Sequence, residues 1–142
     1  MMYKNKVTTI LILRLLMLFL WVAATFELVE DARRMVHVIV LNKLPPGQNF
    51  TVHCKSKDDD LGVHELGPQQ AYTFHFHGNI FGTTLFFCGI NTDYGNGVYD
   101  IYDRRRDRDR CFICIWDVKQ DGVYGYREGS NSSDIFLKWV KT

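Results

Sequence analysis

The side chains in this sequence that could do chemistry are histidines, cysteines and two clusters of charge. His75 and His77 stand two apart in a run that alternates apolar and polar residues, so they project to one face of a strand and could share a metal ion. Zinc sites ordinarily use three or four protein ligands, and no third donor accompanies this pair, which favours plain surface histidines. His53 precedes Cys54, the combination that a thiol nucleophile and its base would require. Neighbours in a strand point to opposite faces, and a secreted cysteine is normally oxidised, so this pair is not read as catalytic. His37 and His64 sit singly on other segments.

Asp58, Asp59 and Asp60 are consecutive, whereas a calcium loop spaces its oxygen ligands and closes on a Glu; a solvated turn is the better reading. The run Asp103, Arg104, Arg105, Arg106, Asp107, Arg108, Asp109, Arg110 holds five arginines and three aspartates. Guanidinium groups grip phosphate, but the interleaved aspartates neutralise much of that charge. Each unpaired charge taken inside would cost several kcal/mol, so the run is expected as a solvated loop, either self-paired or touching a partner. On that expectation, Ser at Arg104, Arg105, Arg106 and Arg108 leaves folding nearly unchanged, because exposed charges contribute about 0 to 1 kcal/mol each. No metal and no cofactor is expected.

Two strands flank the charged run. Tyr99, Ile101 and Tyr102 end the first; the second carries Phe112, Cys114, Trp116 and Val118 on one side and Cys111, Ile113 and Ile115 on the other. Apolar residues on both faces mark a central strand. Upstream, Met35 to Leu41 is a Val- and Ile-rich strand stopped by Leu44-Pro45-Pro46-Gly47. Asn49 to Ser56 alternates, with Phe50, Val52 and Cys54 on one face, and Tyr72, Phe74 and Phe76 do the same in a later segment. Leu61 to Leu66, Thr83 to Ile90, Val123 to Arg127 after the hairpin signal Asp121-Gly122, and Ile135 to Val140 complete the set. Some nine short strands without a convincing amphipathic helix predict an all-β fold, a small antiparallel β-sandwich stapled by two disulfides. Its expected core is Phe50, Val52, Tyr72, Phe74, Phe76, Leu85, Phe87, Tyr99, Ile101, Phe112, Ile113 and Trp116.

At 142 residues, 46% hydrophobic, the chain makes one domain. Residues 1–24 read as a signal peptide: Lys4 and Lys6 are its basic end, Val7 to Val22 its apolar run, and Val22-Ala23-Ala24 its small residues, placing the mature domain at residues 25–142, beginning near Thr25. Arg14 interrupts the run and damages a membrane span more than a signal, since spanning needs about 20 apolar residues. A secreted protein with no stable membrane insertion is the expectation. Removing Lys4, Lys6 and Arg14 leaves 14 basic against 16 acidic residues, a formal charge of −2, which excludes nucleic-acid binding by bulk electrostatics.

Four cysteines in such a chain read as two disulfides. Residues three apart in an extended strand point to opposite faces, which disfavours Cys111 with Cys114, so Cys54 and Cys88 are each expected to bridge to one of Cys111 and Cys114. Asn49-Phe50-Thr51 and Asn131-Ser132-Ser133 both satisfy the N-glycosylation pattern, and Asn131, in a polar loop, is the expected acceptor.

His53-Cys54-Lys55-Ser56-Lys57-Asp58-Asp59-Asp60-Leu61-Gly62, then Phe81 to Cys88, Tyr99-Asp100-Ile101-Tyr102, Cys111 to Cys114 with Trp116, and Asp121-Gly122-Val123-Tyr124 follow one another as in the plant self-incompatibility S-protein homologues, which the chain resembles from Val36 to Trp139. It departs from the pattern in carrying Ile90, Asn91 and Thr92 where many members have a Trp shortly after the second cysteine. The resemblance implies a small secreted β-sandwich with two disulfides and no known enzymatic activity, whose founding members are stigma-side ligands perceived by pollen. Recognition in that family is attributed to hydrophilic loops, here Lys57 to Asp60 and Asp103 to Arg110, which implies Asp58, Asp59, Asp60, Arg104, Arg105, Arg106 and Arg108 as contacts. Two function classes follow: a monomeric secreted ligand for a receptor-like cell-surface protein, or a secreted ribonuclease or other hydrolase using the histidines. The absence of any recognisable His, acid and nucleophile motif favours the ligand.

Overall fold

The structure, a computed structural model, describes residues 2–140; Met1, Lys141 and Thr142, the last two belonging to the expected mature domain, lie outside the described residues. The apolar run near the N-terminus lies in helix α1 (Met2–Arg33), which takes in the polar stretch after Thr25 as far as Arg33. Asn5–Glu30 is long and apolar enough to cross a membrane and none of it is buried, a test that a signal sequence near an N-terminus passes equally.

After it come β1 (Met35–Asn42), β2 (Phe50–Lys55), β3 (Asp60–Leu66), β4 (Ala71–His77), β5 (Leu85–Thr92), β6 (Gly95–Asp103), the single-turn helix α2 (Arg104–Asp107), β7 (Ile113–Lys119), β8 (Gly122–Tyr126) and β9 (Ser133–Lys138). They form a five-stranded sheet in the order β4-β1-β7-β8-β9 and a four-stranded sheet in the order β3-β2-β5-β6. The fold is therefore mostly β, two sheets with two disulfides. One expectation fails: β1 and β7 run parallel, in a register that sets Val38 beside Cys114 and Val40 beside Trp116. The whole four-stranded sheet lies between them in the chain, ample length for the return that a parallel pair needs and a hairpin cannot give.

One hydrophobic cluster draws on both sheets, with Val36, Val38, Val40, Cys114, Trp116, Val118 and Val123 from the first and Phe50, Val52, Cys54, Phe86, Cys88, Ile90 and Ile101 from the second. Rings cross between them: Phe76 lies 4.4 Å from Phe86 and 4.9 Å from Tyr102. Phe50, Val52, Phe74, Ile101 and Trp116 are buried as expected, and Tyr72, Phe76 and Tyr99 pack partly against them. Leu85 and Ile113, however, stand 38% and 45% exposed, and Phe87 is only half buried. Leu85-Phe86-Phe87-Cys88 is apolar at both parities, so alternation alone cannot choose a face; the cross-strand partnership of Cys88 with Cys54 does. Likewise β7 is central and apolar on both sides, yet only its Cys114-Trp116-Val118 side is covered.

The disulfides join Cys54 to Cys88 and Cys111 to Cys114, which overturns the expected pairing. Cys111 is not in an extended strand: β7 starts at Ile113, and the Cys111 amide donates back to the Asp107 carbonyl at 3.1 Å. The turn brings the two Cα atoms to 5.1 Å, where an extended strand would hold them roughly 10 Å apart. The bridges close loops of very different size, with separations of 34 and 3 residues. By loop entropy, replacing Cys54 and Cys88 with Ser should cost about 4 kcal/mol and replacing Cys111 and Cys114 about 1.5 to 2 kcal/mol. Urea midpoints of the two double variants check this, and equal losses would contradict it.

Candidate functional site: the loop end

Strand register carries the charged segments to one end of the molecule. Lys55 lies beside both Asp60 and Phe87, and Leu85 beside Asp103, so the 56–59 turn, the 78–84 loop and the 104–112 segment leave the four-stranded sheet together. The same end of the other sheet, where His77 meets Met35 and Ile113 meets His37, carries the 127–132 loop as well. The Arg104 amide donates to the Thr84 carbonyl at 3.0 Å, and the Arg104 guanidinium lies so close over Gly78 that a Cβ there would come within 2.4 Å of it. A side chain at Gly78 would have to push the Arg104 head group aside, so the position is tight because of that approach rather than its backbone angles.

The charged run is not a solvated loop. Arg104, Asp107 and Arg110 are 8%, 0% and 5% exposed. Asp103 caps α2 through its side chain, which accepts from the Arg105 amide, while Asp107 accepts from the Asp103 amide at 2.9 Å. Arg106 reaches both Asp107 carboxylate oxygens, at 2.9 and 2.6 Å, and donates to the Asp100 carbonyl. Arg110 donates to Asp107 at 3.3 Å and, through two nitrogens, to Asp134 at 2.6 to 3.1 Å. Both guanidiniums lie over the buried Trp116 ring, 5.4 and 5.5 Å from its centroid. A Cβ on Gly125 would meet that ring at 2.6 Å, so only glycine leaves room there. The rule that charge avoids the interior assumed unpaired charge; here every buried carboxylate oxygen faces a guanidinium or an amide, and the stacked ring adds to it. With Arg104 buried and Arg106 tied to Asp107, replacing either should harm folding, contrary to what a solvated loop would imply.

What stays outside is a smaller set. Arg105, Arg108 and Asp109 are exposed, and so are Asp58 and Asp59 on the neighbouring turn, whose shape is held by Ser56 Oγ accepting from both their amides. Asp60 is already engaged, accepting from His53, from Lys55 Nζ at 3.0 Å and from the Gly62 amide. Those donors, His53 foremost, hold its carboxyl far below the ordinary carboxylate range. The hydrogen bonds from Arg110 lower the pKa of Asp134 as well, outweighing the effect of burial. Burial works against the charge of Arg106, but its bond to Asp107 and the nearby Asp103 and Asp100 keep its pKa raised.

Because both carboxyls titrate lower in the folded than in the unfolded chain, they stabilise the fold above their unfolded pKa of about 4, and that stability is lost as pH falls further. The melting temperature should therefore hold through neutral pH and drop below about pH 4. Asp134→Asn should lower it at pH 7 and flatten the acid limb; an unchanged acid limb would contradict the role given to Asp134.

The histidines do not converge. His37 and His75 are cross-strand neighbours with ring centroids 5.7 Å apart, His77 meets the Arg33 carbonyl, His64 stacks on Tyr72 at 4.0 Å, and His53 is on the other sheet. Among the described residues no group of three or more His, Cys, Asp or Glu side chains could hold a metal ion. Asn131 is exposed in the 127–132 loop, and Asn49 donates to Glu65 at 3.0 Å just before β2. Sequence reasoning missed Arg110 and Asp134 as structural partners: 24 positions separate them, and nothing in either neighbourhood names the other.

Comparison with known proteins places this architecture. The family model described as plant self-incompatibility protein S1 matches residues 37–139. The chain belongs to that family. S-protein homolog 6 of Arabidopsis thaliana is 44% identical over 90 residues, 63% of this chain and 66% of that protein, and S-protein homolog 24 is 42% identical over 61% of its own length. The chain thus spans a little under two thirds of those relatives. S-protein homolog 3 is 34% identical over 141 residues, 96% of this chain and 93% of that protein. A solved SPH (self-incompatibility protein homologue) structure, from a family described as small, highly stable and secreted in plants, shares the fold at a TM-score of 0.61 and 16% identity, covering 76% of this chain and 96% of that one. The apolar N-terminal helix ahead of the matched region has the length and composition that a signal sequence and a membrane span share.

Proposed function

We propose that this S1-family protein is a non-enzymatic ligand that binds a receptor-like protein at a cell surface through its loop end. Residues 1–24 are removed on secretion, and residues 25–142 act as a monomeric β-sandwich glycosylated at Asn131, with Asn49 the second acceptor pattern. The observation that carries the reading is the gathering of the 56–59 turn and the 104–110 segment at one end, the latter anchored from beneath by the Asp107 ion cluster. Anchoring matters because a contact loop that is already ordered loses less conformational freedom on binding. The contact set is Asp58, Asp59, Arg105 and Arg108, with Arg106 half presented; Arg104 and Asp60 serve the frame. Arginine suits such a surface because its planar head offers several donors at once.

Arg105→Ser with Arg108→Ser should leave unfolding within about 1 kcal/mol per site of wild type, since exposed charges contribute little. The same variant should capture its partner from plant cell-surface protein more weakly, with a shallower dependence on salt. Equal capture by both proteins would remove the loop end from the contact. Loss of a catalytic turnover on replacing the five histidines would remove the ligand reading itself.

A further inference from the structure

The outer face of the five-stranded sheet is apolar where it should be wet. Ile113 is 45% exposed, and Ile39, Ile115 and Tyr126 stand beside it half buried, in register across β1, β7 and β8. Ile113, Ile115 and Tyr126 floor a groove whose rim is the 127–131 loop, and Asn131 is one of the residues lining that groove. Tyr126 is held in place by its hydroxyl, which donates to Asp117 at 2.9 Å and accepts from Lys119 at 3.1 Å, so its ring is a fixed surface.

We propose that the N-linked glycan on Asn131 folds back into this groove, with the apolar C–H face of its first sugars lying on Tyr126, Ile113 and Ile115. The inference rests on the glycosylation at Asn131 proposed above and adds where the glycan sits and what it covers. Three observations converge: the Asn131-Ser132-Ser133 pattern, the placement of Asn131 on the rim, and an aliphatic and aromatic floor that no other part of the described chain covers. The chemistry matches, because a pyranose has one face of C–H groups and a rim of hydroxyls. The groove supplies apolar side chains beneath and Asp117, Arg127, Glu128 and Ser130 at its edge. The glycan would thereby remove an exposed apolar strip of the kind that leads to association in a bare sheet.

The test uses the full chain expressed in a secretory plant host and the secreted protein purified with its glycan. Intact mass before and after enzymatic deglycosylation, compared between the wild type and Asn131→Gln, shows whether Asn131 carries sugar; no mass change, or a change as large in Asn131→Gln as in the wild type, overturns the inference at its base. With glycan present, deglycosylation should raise anilinonaphthalene sulfonate fluorescence several-fold, speed hydrogen exchange in β7 and β8 and lower the melting temperature by a few degrees. In Tyr126→Ser with Ile115→Ser, deglycosylation should change none of the three, because the floor is gone. A glycan whose removal leaves dye binding and exchange unchanged in the wild type projects into solvent, and the proposal fails. Dye binding that stays low after deglycosylation because the protein dimerises assigns the face to a second copy and also overturns it. None of these outcomes depends on partner capture, so the ligand reading stands or falls separately.

Discussion

Asp107→Asn is expected to destabilise the protein by about 3 to 5 kcal/mol, a large share of what a small domain has. Asp107 is fully buried and accepts from Arg106, Arg110 and the Asp103 amide, so an Asn there removes the carboxylate that Arg106 and Arg110 share and turns one acceptor oxygen into a donor facing donors, leaving Arg110 with Asp134 alone. A buried donor set against donors, with the shared ion pair gone, costs more than the loss of any single hydrogen bond. Arg110→Met, which leaves Asp107 its Arg106 and Asp103 amide partners and leaves the part-exposed Asp134 to water, should cost less than Asp107→Asn. Urea unfolding of the three proteins decides the matter. If Asp107→Asn unfolds like wild type, the segment is a solvated loop after all.

Trp116→Ala should lose about 3 to 5 kcal/mol for a different reason. The ring is fully buried, is the largest side chain in the core and is the surface on which Arg106 and Arg110 stack, so truncation opens a cavity beneath the ion cluster. Among the described residues its indole N–H has no hydrogen-bond partner, so Trp116→Phe forfeits none of the bonds seen and should cost well under the Ala variant. A Phe variant as damaged as the Ala variant would show that an unseen polar contact of the indole, rather than its volume, holds the site.

The strands were legible because their signals are local. Phe50, Val52 and Cys54, or Tyr72, Phe74 and Phe76, alternate against polar neighbours, and proline and glycine punctuate the segments, so nine strands could be placed to within a few residues. Where both parities are apolar, as at Leu85 to Cys88, the pattern carries no choice of face, and the long-range pairing of Cys54 with Cys88 makes it. The Cys111–Cys114 bridge was hidden by treating the residues before β7 as extended; the Asp107 carbonyl that curls them is a tertiary detail. The burial of Arg104 and Arg110 was hidden for a related reason. A run of arginines and aspartates looks the same in sequence whether its charges meet water or one another, and Asp134, the partner that completes the cluster, arrives from another strand. The structure brings the two expected charged segments to one end of the molecule, but buries Arg104 in the frame and ties up Asp60.

The central claim is that the loop end is the face a partner sees, and position-resolved photocrosslinking tests it directly. A photoreactive side chain is placed in turn at Arg105, at Asp59 and, at the opposite end of the molecule, at Asp121, all of them exposed positions. Each protein is then irradiated on plant cell surfaces. The account predicts a common adduct from Arg105 and Asp59, competed by excess unmodified protein, and none from Asp121. An adduct from Asp121 with none from the other two would place the contact at the wrong end and contradict it.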